Sequence, residues 1–166
     1  MKNIVLIGMP GAGKSTLGVV LAKTLNYSFI DCDLVIQTET GMLLQDIIER
    51  DGIDAFLKTE ESIVCGIEAE NAVIATGGSV IFGASAMEKL KVNGIAVYLR
   101  LSAAALEQRI HNITTRGIAM KKGETIADVL RVRSPLYEKY ADITVDCDGM
   151  TLEQVLECVI DEMKKS

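Results

Sequence analysis

Residues 8–15 read Gly-Met-Pro-Gly-Ala-Gly-Lys-Ser, and no other stretch restricts the fold of this chain as much. The spacing is that of a phosphate-binding loop, G-x-x-x-x-G-K-[ST], whose meaning depends on what lies either side of it. Before it, Asn3 to Gly8 (NIVLIG) is apolar and rich in β-branched residues, as a strand covered on both faces requires. After it, Lys14 to Leu25 carries Leu17, Val20, Leu21 and Leu25 at helical spacing. A glycine loop between strand and helix lets backbone N–H groups converge on phosphate oxygens, and the helix start adds partial positive charge. Gly11, Ala12, Gly13, Lys14, Ser15 and Thr16 are therefore the expected nucleotide-binding residues. Lys14 is expected to reach the β- and γ-phosphates, and Ser15 to offer its hydroxyl to Mg²⁺.

The rest of the chain alternates between the same two patterns. Short apolar runs at Tyr27–Asp31, Ala72–Thr76, Gly94–Arg100 and Ile143–Asp146 read as further strands. Helical patterns fall at Asp33–Thr40, Leu43–Asp51, Asp54–Glu70, Ser102–His111, Thr125–Tyr140 and Leu152–Lys164. The polar, glycine-punctuated stretch 112–124 has no apolar period and reads as a mobile loop. Such alternation implies an α/β fold, a parallel sheet of five strands with helices on both faces, whose ligands sit beyond the carboxyl ends of the strands. With 166 residues, two prolines, no linker and no repeat, the chain reads as one domain over 1–166.

Composition narrows the partners. A formal charge of −6 lacks the basic surface that binding to a nucleic-acid backbone draws on. Cys32, Cys65, Cys147 and Cys158 are widely spaced, with His111 the single histidine, so buried thiols in a reducing compartment are expected rather than zinc or disulfides. The apolar start breaks at Gly8 and Pro10, too soon for a membrane span or a signal peptide. A cytoplasmic monomer with no nucleic-acid or membrane partner is the expectation.

A nucleotide site does not say what is done with the nucleotide. A guanine-specific Asn-Lys-x-Asp element is missing, and Asp146-Cys147-Asp148-Gly149 is read as a turn after the last strand. Asp31-Cys32-Asp33 carries more information, because acids two apart at a strand end point the same way, toward the phosphates. One acid can hold Mg²⁺ through water while the other takes the proton of an attacking hydroxyl. The competing reading is a pair that caps the next helix.

At this point the chain resembles the shikimate kinase family, part of the nucleoside-monophosphate-kinase-like group of P-loop proteins. The resemblance runs through GMPGAGKST, the DCD acids, Phe56 with Glu60 and Glu61, the ATGG strand end, Arg109, Arg116, and Arg133-Ser134-Pro135-Leu136-Tyr137. It implies a P-loop kinase fold with a helical substrate-binding region at about 33–60 and a lid at about 112–124. It further implies that Asp31 assists Mg²⁺ and that Asp33 holds substrate hydroxyls as the candidate base. By the same resemblance Gly77 and Gly78 offer N–H groups to the substrate, Arg133 pairs with its carboxylate, Arg116 descends on the transferring phosphate, and Arg109 packs on adenine. A loop arginine that enters on closure would also stabilise phosphoryl charge and exclude water. A solvated charged loop with Lys121 and Lys122 is the alternative for Arg116, and a helix-end cation the alternative for Arg109.

Three departures fall on the acceptor side. Leu57 stands where the family typically carries a carboxylate-binding arginine, and Lys58 beside it points about 100° away along a helix. The family's triple glycine is Gly77-Gly78-Ser79, and the lid's Arg-Pro is Arg116-Gly117, which would loosen the lid. The reading is ATP-dependent, Mg²⁺-assisted transfer to a hydroxyl of a small carboxylate-bearing metabolite, shikimate first, with homoserine or another hydroxy acid as the alternative acceptor. A non-catalytic ATP-binding regulatory module is the alternative of another class.

Overall fold

The computed structural model describes residues 2–110 and 117–165, so the expectations resting on His111 and Arg116 lie outside the described residues. Its centre is β1 (Asn3–Ile7), all five of whose residues are buried. β3 (Ala72–Ala75) and β4 (Gly94–Arg100) flank it in parallel, pairing Ile4 with Val73 on one side and Leu6 with Val97 on the other. β2 (Ser28–Asp31) and β5 (Ile143–Asp146) form the edges, giving the order β2-β3-β1-β4-β5. Position in the sheet explains the patterning: the inner strands are apolar except at their ends, where Asn3 opens β1 and Arg100 closes β4, while in β5 Ile143 and Val145 are buried and Thr144 and Asp146 exposed.

Helices cover both faces. α1 (Lys14–Leu25) approaches closely enough that a Cβ on Gly18 would stand 3.4 Å from Leu6, and α8 (Leu152–Lys165) packs beside it. The next residue back, Val5, points to the other face, beneath the end of α5 (Ala84–Val92). α7 (Ile126–Tyr140) lies against β4, starting from a capping box in which Thr125 and Asp128 each accept from the other's backbone N–H. α6 (Ala103–Arg109) follows β4 and ends with Arg109.

Between β2 and β3 the chain builds α2 (Cys32–Thr40), α3 (Leu44–Asp51) and α4 (Ile53–Cys65). These helices share a small apolar cluster of Ile36, Leu44, Ile47 and Phe56, separate from the main core. Two sequence expectations need correction. The fourth helix ends at Cys65, not Glu70, because Gly66 and Ile67 turn back onto the Ile63 and Val64 carbonyls and release the chain toward β3. A 3₁₀ turn at Val80–Phe82 and all of α5 were not anticipated. In α5 only Ala86, Met87 and Leu90 are buried, too narrow a stripe to declare itself by period. No helix among the described residues is long and apolar enough to cross a membrane.

Leu21 is fully buried on α1, whereas Val19 is 52% exposed. Leu21→Ala is expected to lower unfolding free energy by about 3 kcal/mol in urea titration, and Val19→Ala by less than about 0.5 kcal/mol. Equal losses would contradict the assignment of α1 to the core.

Candidate active site

α1 begins at Gly13, in a left-handed conformation and without any side-chain cap. Its first N–H groups therefore take no side-chain cap, as at a helix start that can receive an anion. Beside them opens a cavity of about 330 Å³, lined by Gly11, Gly13, Lys14, Ser15 and Thr16 on one side. Ala12 is the exception among the expected nucleotide residues: it is buried in the core and lines no part of the cavity. Lys14 is buried, with Nζ donating to the carbonyls of Gly8 (2.7 Å) and Met9 (2.8 Å). Met9 itself packs in the core.

β2 delivers the acids, and the two readings of them turn out to be compatible. Asp31 Oδ1 caps α2, accepting from the N–H groups of Asp33 (3.0 Å) and Leu34 (3.4 Å). Its Oδ2 accepts from the Ser15 hydroxyl at 2.7 Å, so one carboxylate both starts a helix and faces the phosphate loop. The strand ends at Asp31, however, so the alternation invoked for Asp33 does not apply. Asp33 reaches the cavity from the first turn of α2. Burial raises its pKa above the ordinary 3.8, the charge of Asp31 adds to the rise, and Lys14 opposes it.

The end of β3 supplies a glycine turn packed from both sides. A Cβ on Gly78 would stand 2.6 Å from Pro10 Cδ, and one on Gly77 would stand 2.6 Å from Glu60 Oε2 and 3.0 Å from Asp33 Oδ1. Any larger residue would push the phosphate loop and the acids apart. The Tyr137 hydroxyl donates to the Gly78 carbonyl, and its ring stacks on Tyr98 with centroids 5.0 Å apart. The turn is thereby tied to α7 and β4.

Arg133 lies one helical turn before Tyr137 and is 2% exposed. Its guanidinium donates to the Ala119 carbonyl (2.7 Å), lies 5.5 Å from the Phe82 ring centroid, and lines the cavity. Arg109 lines the opposite end, where a Cβ on Gly13 would be 3.8 Å from Nη1. Leu57 joins the fringe of the small apolar cluster, Lys58 is exposed, and neither lines the cavity. Gly117 has φ 65° and sits against α3, where a Cβ would stand 2.5 Å from Leu44 Cβ. Proline, held near φ −65°, could not adopt that conformation.

Sequence reasoning quoted Glu60 and Ser79 without giving either a task. Glu60 is 2% exposed on α4, its Oε1 accepts from the Ser79 hydroxyl at 2.6 Å, and its Oε2, beside Gly77, has no hydrogen-bond partner among the described residues. The signal was available: Glu60 falls four residues from both Phe56 and Val64, a charge on the buried stripe of a helix. Burial pushes its carboxyl up to about 7 from 4.5; the Ser79 hydrogen bond counters this, the charge of Asp33 adds to it, and Arg133 and Lys14 oppose it.

Known proteins resemble this chain over nearly its whole length. A family model described as "Shikimate kinase" matches residues 10–164. A shikimate kinase of Thermodesulfovibrio yellowstonii is 39% identical over 168 residues, covering 99% of this chain and 96% of that one. One from Haemophilus influenzae is 34% identical, covering 96% and 91%. Among solved structures, shikimate kinase from Acinetobacter baumannii in complex with shikimate superposes with a TM-score of 0.89 at 30% identity, covering 99% of this chain and 94% of that one. The enzyme from Aquifex aeolicus gives 0.83 at 29%, covering 98% and 96%.

The elevated Glu60 pKa makes a prediction with a definite sign. Between pH 4.5 and about 7 the folded chain holds a proton that the unfolded chain releases, so stability from this group is lost as pH rises through 7. Glu60→Gln is expected to raise unfolding free energy by on the order of 3 kcal/mol near pH 8, shrinking to a fraction of that near pH 5. A pH-independent change would contradict it.

Proposed function

The chain belongs to the shikimate kinase family, and from that premise we propose that it moves the γ-phosphoryl group of ATP onto a hydroxyl of shikimate. One observation carries the proposal: the uncapped start of α1, Asp33, the glycine turn and Arg133 all border a single cavity. Phosphate donors occupy one end of it and a buried guanidinium the other. A small acceptor bearing both hydroxyls and a carboxylate bridges them.

In this reading the triphosphate tail binds the N–H groups of residues 11–16, and Lys14 exchanges its loop carbonyls for β- and γ-phosphate oxygens. Arg109 packs against adenine. Ser15 and Asp31, a hydroxyl and a carboxylate 2.7 Å apart, are hard oxygen donors suited to Mg²⁺. Bound there, the cation would neutralise phosphate charge. Arg133 pairs with the acceptor carboxylate, and the N–H groups of Gly77 and Gly78 and the carboxylate of Asp33 hold its hydroxyls. As the hydroxyl oxygen bonds to γ-phosphorus and the bond to the β-phosphate oxygen breaks, Asp33 accepts the hydroxyl proton and ADP leaves. Its raised pKa suits a base that must take up a proton. Arg116, from the lid at about 112–124, stabilises charge on the moving phosphoryl group. The helical region at about 33–60 closes the acceptor side. The proposal extends to a monomer working in the cytoplasm, where the four free cysteines would stay reduced.

A coupled ADP-release assay over shikimate, homoserine and a panel of sugar acids tests the proposal. Shikimate is expected to give the highest kcat/KM, Lys14→Ala to abolish turnover, and Asp33→Asn to lower kcat roughly 10²- to 10⁴-fold. A winning amino acid or sugar acid would overturn the acceptor while preserving the reaction. ATP binding without turnover on any acceptor would favour the regulatory module instead.

A further inference from the structure

Two departures from the family pattern converge on one side chain. Leu57 withdraws a guanidinium from the acceptor side, one helical turn from Glu60. Ser79 adds a hydroxyl where a glycine would have none, and that hydroxyl is spent on Glu60 Oε1 at 2.6 Å. Both partners are nearly inaccessible, at 2% and 5% exposure. The bond fixes the plane of the carboxyl group and leaves Oε2 without a partner among the described residues, in a side chain that lines the cavity.

A buried carboxylate oxygen with no donor is costly, and one whose side chain lines a cavity can gain a donor from what binds there. The placement of Oε2 tells what kind of ligand. It flanks Gly77 together with Asp33 Oδ1, the two oxygens standing 2.6 and 3.0 Å from where a Cβ on Gly77 would be. Two acceptor atoms close together beside one glycine suit two hydroxyls of one polyol. They do not suit a carboxylate, which both would repel.

We infer that Ser79 is a positioning residue for the acceptor site: its hydroxyl holds the Glu60 carboxyl so that Oε2 accepts a hydrogen bond from a second acceptor hydroxyl beside the one engaged by Asp33. The inference rests on the cavity being the acceptor site, as proposed above. The charged groups facing Glu60 are Asp33 on α2, Lys14 on α1 and Arg133 on α7. Ser79, with the two cations, favours the ionised, accepting form against burial and Asp33. Any hydroxylated acceptor lacking the second hydroxyl leaves Oε2 unpaired and is discriminated against.

The test uses the full chain with Ser79→Ala, Ser79→Thr and Glu60→Gln, each assayed for both substrates. Ser79→Ala is expected to raise KM for shikimate roughly ten-fold while kcat and KM for ATP stay within about two-fold, and Ser79→Thr to restore most of the loss. Glu60→Gln keeps an oxygen for Ser79 but turns an N–H₂ toward the cavity, so it is expected to raise the same KM at least as much. Carboxyl ¹³C NMR of labelled glutamate adds a readout that mere folding would not move: the Glu60 titration shifts to higher pH in Ser79→Ala and returns in Ser79→Thr. Normal turnover of shikimate by the parent chain, with an unmoved KM or an unmoved titration in Ser79→Ala, sinks this inference alone. Absence of turnover in the parent sinks the functional reading and the acceptor role of Ser79 with it.

Discussion

Gly78 against Pro10 is the contact on which the site depends. The phosphate loop leaves β1 and the glycine turn leaves β3, and these strands are neighbours in the sheet. Their outgoing loops must therefore touch, and only a residue without a side chain lets them touch this closely. The phosphate loop, Asp33, Gly77, Gly78 and Arg133 are brought to one cavity by that approach. β2, on the far side of β3, adds Asp31 and Asp33 at the same edge, so three adjacent strand ends compose one reactive face.

The acceptor side is held by polar contacts rather than by apolar bulk. Tyr137 pulls the Gly78 carbonyl toward α7, Arg133 ties α7 to the segment after residue 116 through the Ala119 carbonyl, and Ser79 ties the turn to α4 through Glu60. Burial of the Glu60 carboxyl, one of whose oxygens is unpaired among the described residues, opposes its ionisation. The Leu57 side chain joins the fringe of the apolar cluster of α2, α3 and α4, where a charged residue would add no packing.

Legibility in the sequence followed the range of the interactions concerned. The phosphate loop was readable because its function is carried by contiguous residues between a strand and a helix. Strands in the middle of the sheet were readable because burial on both faces makes their runs apolar, as in residues 4–7. α5 was not, since Ala86, Met87 and Leu90 bury only a sliver of its surface. Asp33 was expected at the site for the wrong geometric reason, because the end of β2 and the start of α2 meet between Asp31 and Cys32 without a loop. Glu60 and Ser79 lie nineteen residues apart, and nothing local in either announces the bond between them.

The central claim, that phosphate donors and an acceptor clamp share one cavity, is tested most directly by a crystal structure with ADP and shikimate bound. The account predicts the β-phosphate on the N–H groups at the start of α1, the shikimate carboxylate on Arg133, and its hydroxyls between Asp33 Oδ1 and Glu60 Oε2. Shikimate bound outside the cavity, or with its carboxylate turned away from Arg133, would contradict it.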